Sequence, residues 1–302
     1  MLKIKRILWP TDFSRCAQQA FGHAVHLARE HNAELHVLHA LVLLQDDSHH
    51  LPNKEEINQQ IKALASGRMT EALGALAAGD IKIKQAHVRG ISTAPAILDY
   101  AKENDIDLIV MGTHGRRGLG HLFLGSVAEE AVRHAVCPVL TIREQQEPMP
   151  VDTMHRILVP VDFSAYSERA LIHAKEIAAS FDARLQVLHI IEEFIPPTFY
   201  MSTGAATVTF SPELKAKTKE ALLELLQDTD GPKVEADYYV LEGNAAHDIV
   251  DFAKEKKSDL IVIATHGRTG LEHLLMGSVT EKVVRRAPCP VFTVRTFGKS
   301  LV

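Results

Sequence analysis

The chain has 302 residues, a formal net charge of -5, 46% hydrophobic residues and 24% charged residues. This composition is typical of a globular protein with enough residues for two cores, and it excludes a disordered or fibrous chain. No dense run of Lys and Arg occurs, and no apolar stretch approaches the about 20 residues that span a bilayer. We therefore expect a cytoplasmic protein with no nucleic-acid partner and no membrane partner. The three cysteines form no CxxC pattern, so we interpret them as reduced structural thiols.

The sequence contains the same unit of about 150 residues twice. The segment RILWPTDFS at 6–14 recurs as RILVPVDFS at 156–164, and 24 of the 37 residues at 107–143 are identical to those at 259–295. Such a match indicates an internal duplication. The intervening segment EQQEPMPVDT has two prolines and no apolar periodicity, which is typical of a linker. We predict two domains, residues 1–146 (repeat one) and residues 152–302 (repeat two).

Within each repeat, short β-branched runs alternate with longer segments of helical periodicity. This alternation predicts βαβ units, and therefore a parallel sheet with helices on both faces. In repeat one the predicted strands are 5–9, 34–39, 82–88, 107–111 and 138–142, and the predicted helices are 14–31, 55–78, 94–103 and 126–135. The expected fold class is α/β, with two tandem three-layer open-sheet domains of five parallel strands each.

Two clusters of turn and polar residues follow predicted strands. Pro10-Thr11-Asp12 follows the first strand, and Gly112-Thr113-His114-Gly115 follows the fourth; after nine intervening residues Gly125-Ser126 opens a helix. Repeat two keeps this spacing, with Gly267 and Gly277-Ser278. Glycines allow close approach to the main chain, and a helix start offers free amides and a positive dipole end, as a polyphosphate requires. Arg116 and Arg268 would add charge-assisted contacts. An isolated Gly-Ser pair is more typical of an ordinary helix cap, but the repetition favours a binding site.

The spacing Gly-x2-Gly-x9-Gly-Ser, with Pro-x-Asp after the first strand, resembles that of the universal stress protein family, and the chain is similar to its tandem members. The resemblance implies the strand order 3-2-1-4-5 and ATP, with or without Mg, as ligand. It implies that the Asp after strand one faces the adenosine, that the end of strand two lines the adenine pocket, and that the glycine loop holds ribose and phosphates. The implied nucleotide-binding residues of repeat one are Thr11, Asp12, Ala40, Met111, Gly112, Gly115, Arg116, Gly125, Ser126 and Val127. Those of repeat two are Asp162, Ile190, Ile263, Gly267, Arg268, Gly277, Ser278 and Val279.

Repeat two departs from this pattern at two positions. Ala264 replaces the first glycine, and Val161 replaces Thr11. A methyl group at 264 is expected to crowd a ligand lying against the main chain, so repeat one is expected to be the better ATP site. His39 and His189 are expected to pack beside the pocket. The long unpatterned segment 191–213 is interpreted as a lid over the pocket of repeat two or as a disordered loop.

The seventeen histidines show no ligand spacing, so no metal site is expected. Walker A, nucleophile-elbow and receiver-domain patterns are absent, and no general base is evident, so no catalytic residue is assigned. The sequence favours nucleotide-dependent sensing or signalling in stress response. A slow ATP-hydrolysing or nucleotidyl-transfer enzyme and an adaptor that holds another metabolite remain open. The fifth strands would lie at sheet edges, and the resemblance implies that they pair as an internal pseudo-dimer, with a homodimer as further association.

Overall fold

The computed structural model describes residues 2–42, 54–74, 81–115, 124–146, 152–192, 212–267, 276–295 and 298–302. It divides into two compact units. Unit 1 comprises Met1–Thr153 and Pro290–Val302, and unit 2 comprises Met154–Cys289. Unit 1 therefore contains repeat one together with the last strand and the C-terminal residues of repeat two. No helix among the described residues is long and apolar enough to cross a membrane.

Repeat one alternates strands and helices as its sequence predicts. Its elements are β1 (Arg6–Pro10), α1 (Arg15–Glu30), β2 (Glu34–Val42), α2 (Lys54–Leu73), β3 (Ile83–Gly90), α3 (Thr93–Glu103), β4 (Leu108–Gly112), α4 (Ser126–His134) and β5 (Val139–Ile142). The order β3-β2-β1-β4-β5 confirms the predicted 3-2-1-4-5 arrangement. All four pairings are parallel, and β1 lies between β2 and β4. The ends of β1 and β4 therefore meet where the strand order reverses, which is where open sheets of this type bind ligands.

Repeat two has the same sequence of elements. They are β6 (Arg156–Pro160), α5 (Ala165–Phe181), β7 (Arg184–Glu192), α6 (Pro212–Asp228), β8 (Ala236–Gly243), α7 (Ala245–Glu255), β9 (Leu260–Ala264), α8 (Ser278–Arg286) and β10 (Val291–Val294). Its first four strands follow the order β8-β7-β6-β9 with parallel pairing, and β10 is its fifth strand. The predicted fold class is confirmed.

The predicted pairing of the two fifth strands is also confirmed, and it lies inside unit 1. β10 runs antiparallel to β5, with Leu140 opposite Phe292. The buried hydroxyl of Thr141 donates to the carbonyl of Val291 at 3.2 Å, and that of Thr293 donates to the carbonyl of Val139 at 3.0 Å. These reciprocal bonds satisfy polar groups on both strands, so the internal pseudo-dimer pairing leaves neither hydroxyl unsatisfied.

The core of each repeat lies between the sheet and its helices. Ile7, Leu8 and Trp9 of β1 are fully buried, as are Ile157, Leu158 and Val159 of β6. These runs are apolar throughout because parallel strands with helices on both faces are buried on both sides. The Trp9 indole donates to the carbonyl of Ala17 at 2.9 Å, which fixes the start of α1 against β1. The start of α1 is thereby tied to the strand that leads into the candidate site.

Candidate functional site

The turn after β1 is held by its own side chains. The Thr11 amide donates to the Leu38 carbonyl at 2.8 Å, which extends the pairing with β2 by one residue. The Thr11 hydroxyl accepts from the Phe13 amide, and Asp12 Oδ1 accepts from the Ser14 amide, both at 3.0 Å. Ser14 then caps α1 by accepting from the Ala17 amide. The Thr11 side chain is 5% exposed, so its hydroxyl serves the turn.

Repeat two builds the same turn without the threonine hydroxyl. Asp162 Oδ1 accepts from the Ser164 amide at 3.0 Å, and Ser164 caps α5. The Ser164 hydroxyl also donates to Asp162 Oδ1, and the Asp162 amide donates to Ser167 Oγ at 3.3 Å. Two serine hydroxyls thus contribute to the turn in which Val161 replaces Thr11. The replacement leaves the carboxylate position intact.

The aspartate of each turn reaches the glycine loop after the fourth strand. A β-carbon at Gly115 would lie 2.6 Å from Asp12 Oδ2, and a β-carbon at Gly267 would lie 2.6 Å from Asp162 Oδ2. Any side chain at these positions would force the carboxylate away, so only glycine allows this approach. The structure therefore brings Asp12 together with Gly115, and Asp162 with Gly267, at the carboxyl edge of the sheet.

The two ends of each glycine loop are joined by one hydrogen bond. The Gly125 amide donates to the Thr113 carbonyl, and the Gly277 amide donates to the Thr265 carbonyl, each at 2.8 Å. Gly125 and Gly277 are the N-caps of α4 and α8, and neither cap has a side-chain hydrogen bond. Ser126 and Ser278 are exposed at the first helical position. Among the described residues no side chain caps these helix starts, which present their first amides and a serine hydroxyl and so suit an anion.

The geometry at Ala264 does not agree with the expectation that its methyl group crowds a ligand. At the matching position, a β-carbon on Gly112 would meet α1, at 2.7 Å from Cys16 Sγ and 3.0 Å from the Cys16 carbonyl carbon. Ala264 itself is 6% exposed. The methyl group therefore faces the packed helix of its own repeat. At the position of Cys16, repeat two has Tyr166, whose ring lies 6.2 Å from that of His266.

The remaining predicted residues lie at the strand ends or next to them. Met111 and Ile263 are almost fully buried, at 4% and 5% exposure. At the end of the second strand, Ala40 is half-buried, whereas the larger Ile190 is 8% exposed. Val127 and Val279 follow the exposed serines in α4 and α8. Arg116, Arg268 and most of the 191–213 segment lie outside the described residues.

Two histidines that the motif does not include contact the turn directly. His39 Nδ1 lies 2.7 Å from the Thr11 carbonyl oxygen, and His189 Nδ1 lies 2.8 Å from that of Val161. Both rings also contact the phenylalanine after the aspartate, at centroid distances of 4.7 and 4.8 Å. The sequence signal for these two histidines is the Leu-His pair that both repeats have in the second strand.

Several described polar side chains near the site are neutral or paired with each other. Burial raises the pKa of the Cys16 thiol, which donates to the Ile142 carbonyl at 3.3 Å and so packs as a neutral group. Glu129 in the first turn of α4 pairs with Arg133 at 2.8 Å, and Glu281 pairs with Arg285 in α8. Within the described ranges, no group of three or more His, Cys, Asp or Glu side chains could hold a metal ion.

Comparison with known proteins gives one consistent result. The model of the universal stress protein family matches residues 3–143 and 153–295. A universal stress protein of Mycobacterium tuberculosis is 30% identical over 250 residues, covering 80% of this chain and 78% of the relative. The crystal structure of a universal stress protein from Archaeoglobus fulgidus aligns over 96% of this chain and 98% of its own, with a TM-score of 0.66 and 21% identity. A universal stress protein in complex with cAMP covers 48% of this chain at 22% identity and a TM-score of 0.34. The chain belongs to the universal stress protein family and carries two copies of its domain in tandem.

Proposed function

We propose that this protein binds ATP in repeat one, and more weakly in repeat two, and acts in stress response by nucleotide-dependent sensing or signalling in the cytoplasm. The observation that carries the proposal is the contact of Asp12 with Gly115 beside the uncapped start of α4, repeated by Asp162, Gly267 and α8. A carboxylate can accept a hydrogen bond from a ribose hydroxyl, and the amides at the helix start can donate to phosphate oxygens. The site could therefore bind both the ribose and the phosphates of a nucleotide.

The expected difference in affinity comes from the end of the second strand. Ala40 is smaller than Ile190 at the matching position, so a base that lay against this part of the second strand would have more space in repeat one. The methyl group of Ala264 does not contribute, because its position faces the packed helix. Mg would accompany ATP through the phosphates, since the described residues provide no cluster of metal ligands of their own.

The first experiment identifies a co-purified ligand by denaturing the purified protein and separating the released small molecules by chromatography. An adenine nucleotide supports the proposal, and a different metabolite supports the adaptor hypothesis. Titration calorimetry with Mg-ATP then measures affinity in two matched variants, Gly125→Arg and Gly277→Arg. We expect Gly125→Arg to abolish the tighter binding event and Gly277→Arg to leave it. The reverse result would show that repeat two is the tighter site.

A second matched pair tests the cause of the difference. Ala40→Ile should weaken binding in repeat one, and Ile190→Ala should strengthen it in repeat two, by about tenfold each if the base contacts this side chain. Unchanged affinities in both variants would exclude these second-strand residues as the cause of the difference in affinity between the repeats. Rapid formation of ADP that depends on Asp12 would instead favour an enzyme.

A further inference from the structure

Beside each proposed nucleotide site lies a histidine, His39 or His189, that the Gly-x2-Gly-x9-Gly-Ser motif does not contain. A carbonyl oxygen can only accept a hydrogen bond, so Nδ1 of His39 must carry a proton toward Thr11, and Nδ1 of His189 must carry one toward Val161. Both bonds are short, at 2.7 and 2.8 Å, and His39 is 9% exposed. A bond this buried restrains the carbonyl that immediately precedes the site aspartate.

The residue after the aspartate has a backbone conformation that needs support. Phe13 has φ = +63° and Phe163 has φ = +60°. This left-handed region is unfavourable for a residue with a side chain, because its β-carbon crowds the following carbonyl oxygen. The ring of His39 lies against that of Phe13, and the ring of His189 lies against that of Phe163. Each histidine therefore holds the turn on both sides of the aspartate, through the preceding carbonyl and the following ring.

The carboxylate has little freedom to move without loss of the site geometry. Asp12 Oδ1 is fixed by the Ser14 amide, while Oδ2 approaches Gly115 so closely that a β-carbon there would clash. Asp162 is held in the same way by Ser164 and Gly267. A shift of about 1 Å in the turn would either push the carboxylate into the glycine loop or withdraw it from a bound ligand.

The repeats retain this arrangement while the residues around it differ. Thr11 becomes Val161, Ala40 becomes Ile190, and His87, which pairs with His39 on the neighbouring strand, is replaced by Val240 beside His189. A histidine needed only to fill space would have no reason to keep the same bond to the same carbonyl. We propose that His39 and His189 are positioning residues, each of which holds the turn that aims the site aspartate. The role in ligand affinity rests on the proposed nucleotide binding.

The test compares His39→Leu with His39→Asn in protein carrying Gly277→Arg, so that only repeat one is titrated. Leucine keeps the apolar volume but has no donor, whereas the asparagine amide can donate from near the position of Nδ1. Titration with Mg-ATP should show an about tenfold loss of affinity in His39→Leu and recovery to within about threefold in His39→Asn. His134→Leu, at an exposed position in α4, is the control for removal of a histidine.

A ligand-free measurement separates the two proposals. Hydrogen exchange of the Phe13 and Ser14 amides, which donate to Thr11 and Asp12, should accelerate about tenfold in His39→Leu and return in His39→Asn. Unchanged exchange in His39→Leu would overturn the positioning role. Equal affinity of the leucine and asparagine variants would also overturn it, because a merely structural role would not distinguish them. Absence of binding in protein with a native histidine would overturn the nucleotide proposal, while the exchange result would still decide the positioning of Asp12.

Discussion

The two repeats share one site geometry but support it with different residues. In repeat one the Thr11 hydroxyl accepts a hydrogen bond within the turn. In repeat two the hydroxyls of Ser164 and Ser167 bond to Asp162 instead. In repeat one α1 packs Cys16 against Gly112, whereas repeat two has Tyr166 at that helix position and the buried Ala264 at that strand position. The site aspartate and two loop glycines, Gly115 and Gly125 in repeat one, are therefore the same in both repeats. The residues that pack around them differ.

The repeats also differ in how many of their described histidines have a lowered pKa. Burial lowers the pKa of four described histidines in repeat one and of one in repeat two; they are His23, His31, His36, His87 and His173. A histidine whose pKa is lower in the folded protein than in the unfolded chain is protonated more readily in the unfolded chain. Protonation of such a histidine therefore favours unfolding. The stability it supports is complete above about pH 6.5 and decreases as the pH falls.

The largest expected effect is therefore an acid lability that is greater in repeat one than in repeat two, where His173 is the described histidine with a lowered pKa. Burial, with a smaller contribution from His26, lowers the pKa of His23 to about 4. This lowering corresponds to a loss of roughly 3 kcal/mol between pH 6.5 and pH 4. Hydrogen exchange measured by mass spectrometry across this range should show α1 of repeat one losing protection before α5 of repeat two.

The variant His23→Gln tests the assignment, because glutamine does not titrate. Its free energy of unfolding in urea should depend less on pH between 6.5 and 4 than that of the unaltered protein. The matched variant His173→Gln reports the same helix position in repeat two. An undiminished pH dependence in His23→Gln would remove His23 as the cause and weaken the contrast between the repeats.

The second effect concerns the glycine that only repeat one requires. Gly112→Ala places a methyl group against Cys16 Sγ and the backbone of Cys16 and Ala17, at 2.7 to 3.1 Å. Overpacking against helix backbone should cost about 2 kcal/mol, more than the gain from a less flexible unfolded chain. Ala264→Gly should cost about 1 kcal/mol, from the loss of a buried methyl group and the added backbone freedom.

Urea unfolding of the two variants measures both changes, with Gly67→Ala as the control, since a β-carbon at Gly67 meets nothing within 4 Å. A neutral Gly112→Ala would mean that α1 can shift to accept the methyl group, and that the two repeats differ less than their packing indicates. Combination with Cys16→Ala should restore part of the loss, because the sulfur contact disappears while the backbone contacts remain.

The sequence predicted the fold better than the details of the site. Apolar runs such as those of β4 and β9 identify strands buried on both faces, and the repeated spacing after them located the carboxyl edge where Asp12 meets Gly115. The direction of the Ala264 methyl group could not be read from that spacing, because it depends on which side chain the neighbouring helix presents. The left-handed φ of Phe13 could not be read either, since it results from tertiary contacts with His39 that outweigh local preference.

The smallest effect concerns the carboxylate at the opposite edge of the sheet, where the two repeats also share a contact. Asp107 Oδ2 accepts from the amides of Lys5 and Arg6, and Asp259 Oδ2 accepts from those of His155 and Arg156. In unit 1, Lys299 adds an ion pair of 2.6 Å to Asp107 Oδ1.

Lys299→Met should destabilise unit 1 by less than about 1 kcal/mol at low ionic strength, because Lys299 is 31% exposed and water screens the pair. The loss should shrink further in about 1 M NaCl, where the screening length is short. Urea unfolding at both salt concentrations measures it, with Lys254→Met on the exposed face of α7 as the control. A loss independent of salt would assign the contribution of Lys299 to its methylene packing and not to its charge, since only the charge is screened. The lysine would then act on unit 1 as an apolar contact, and the electrostatic difference between Asp107 and Asp259 would disappear.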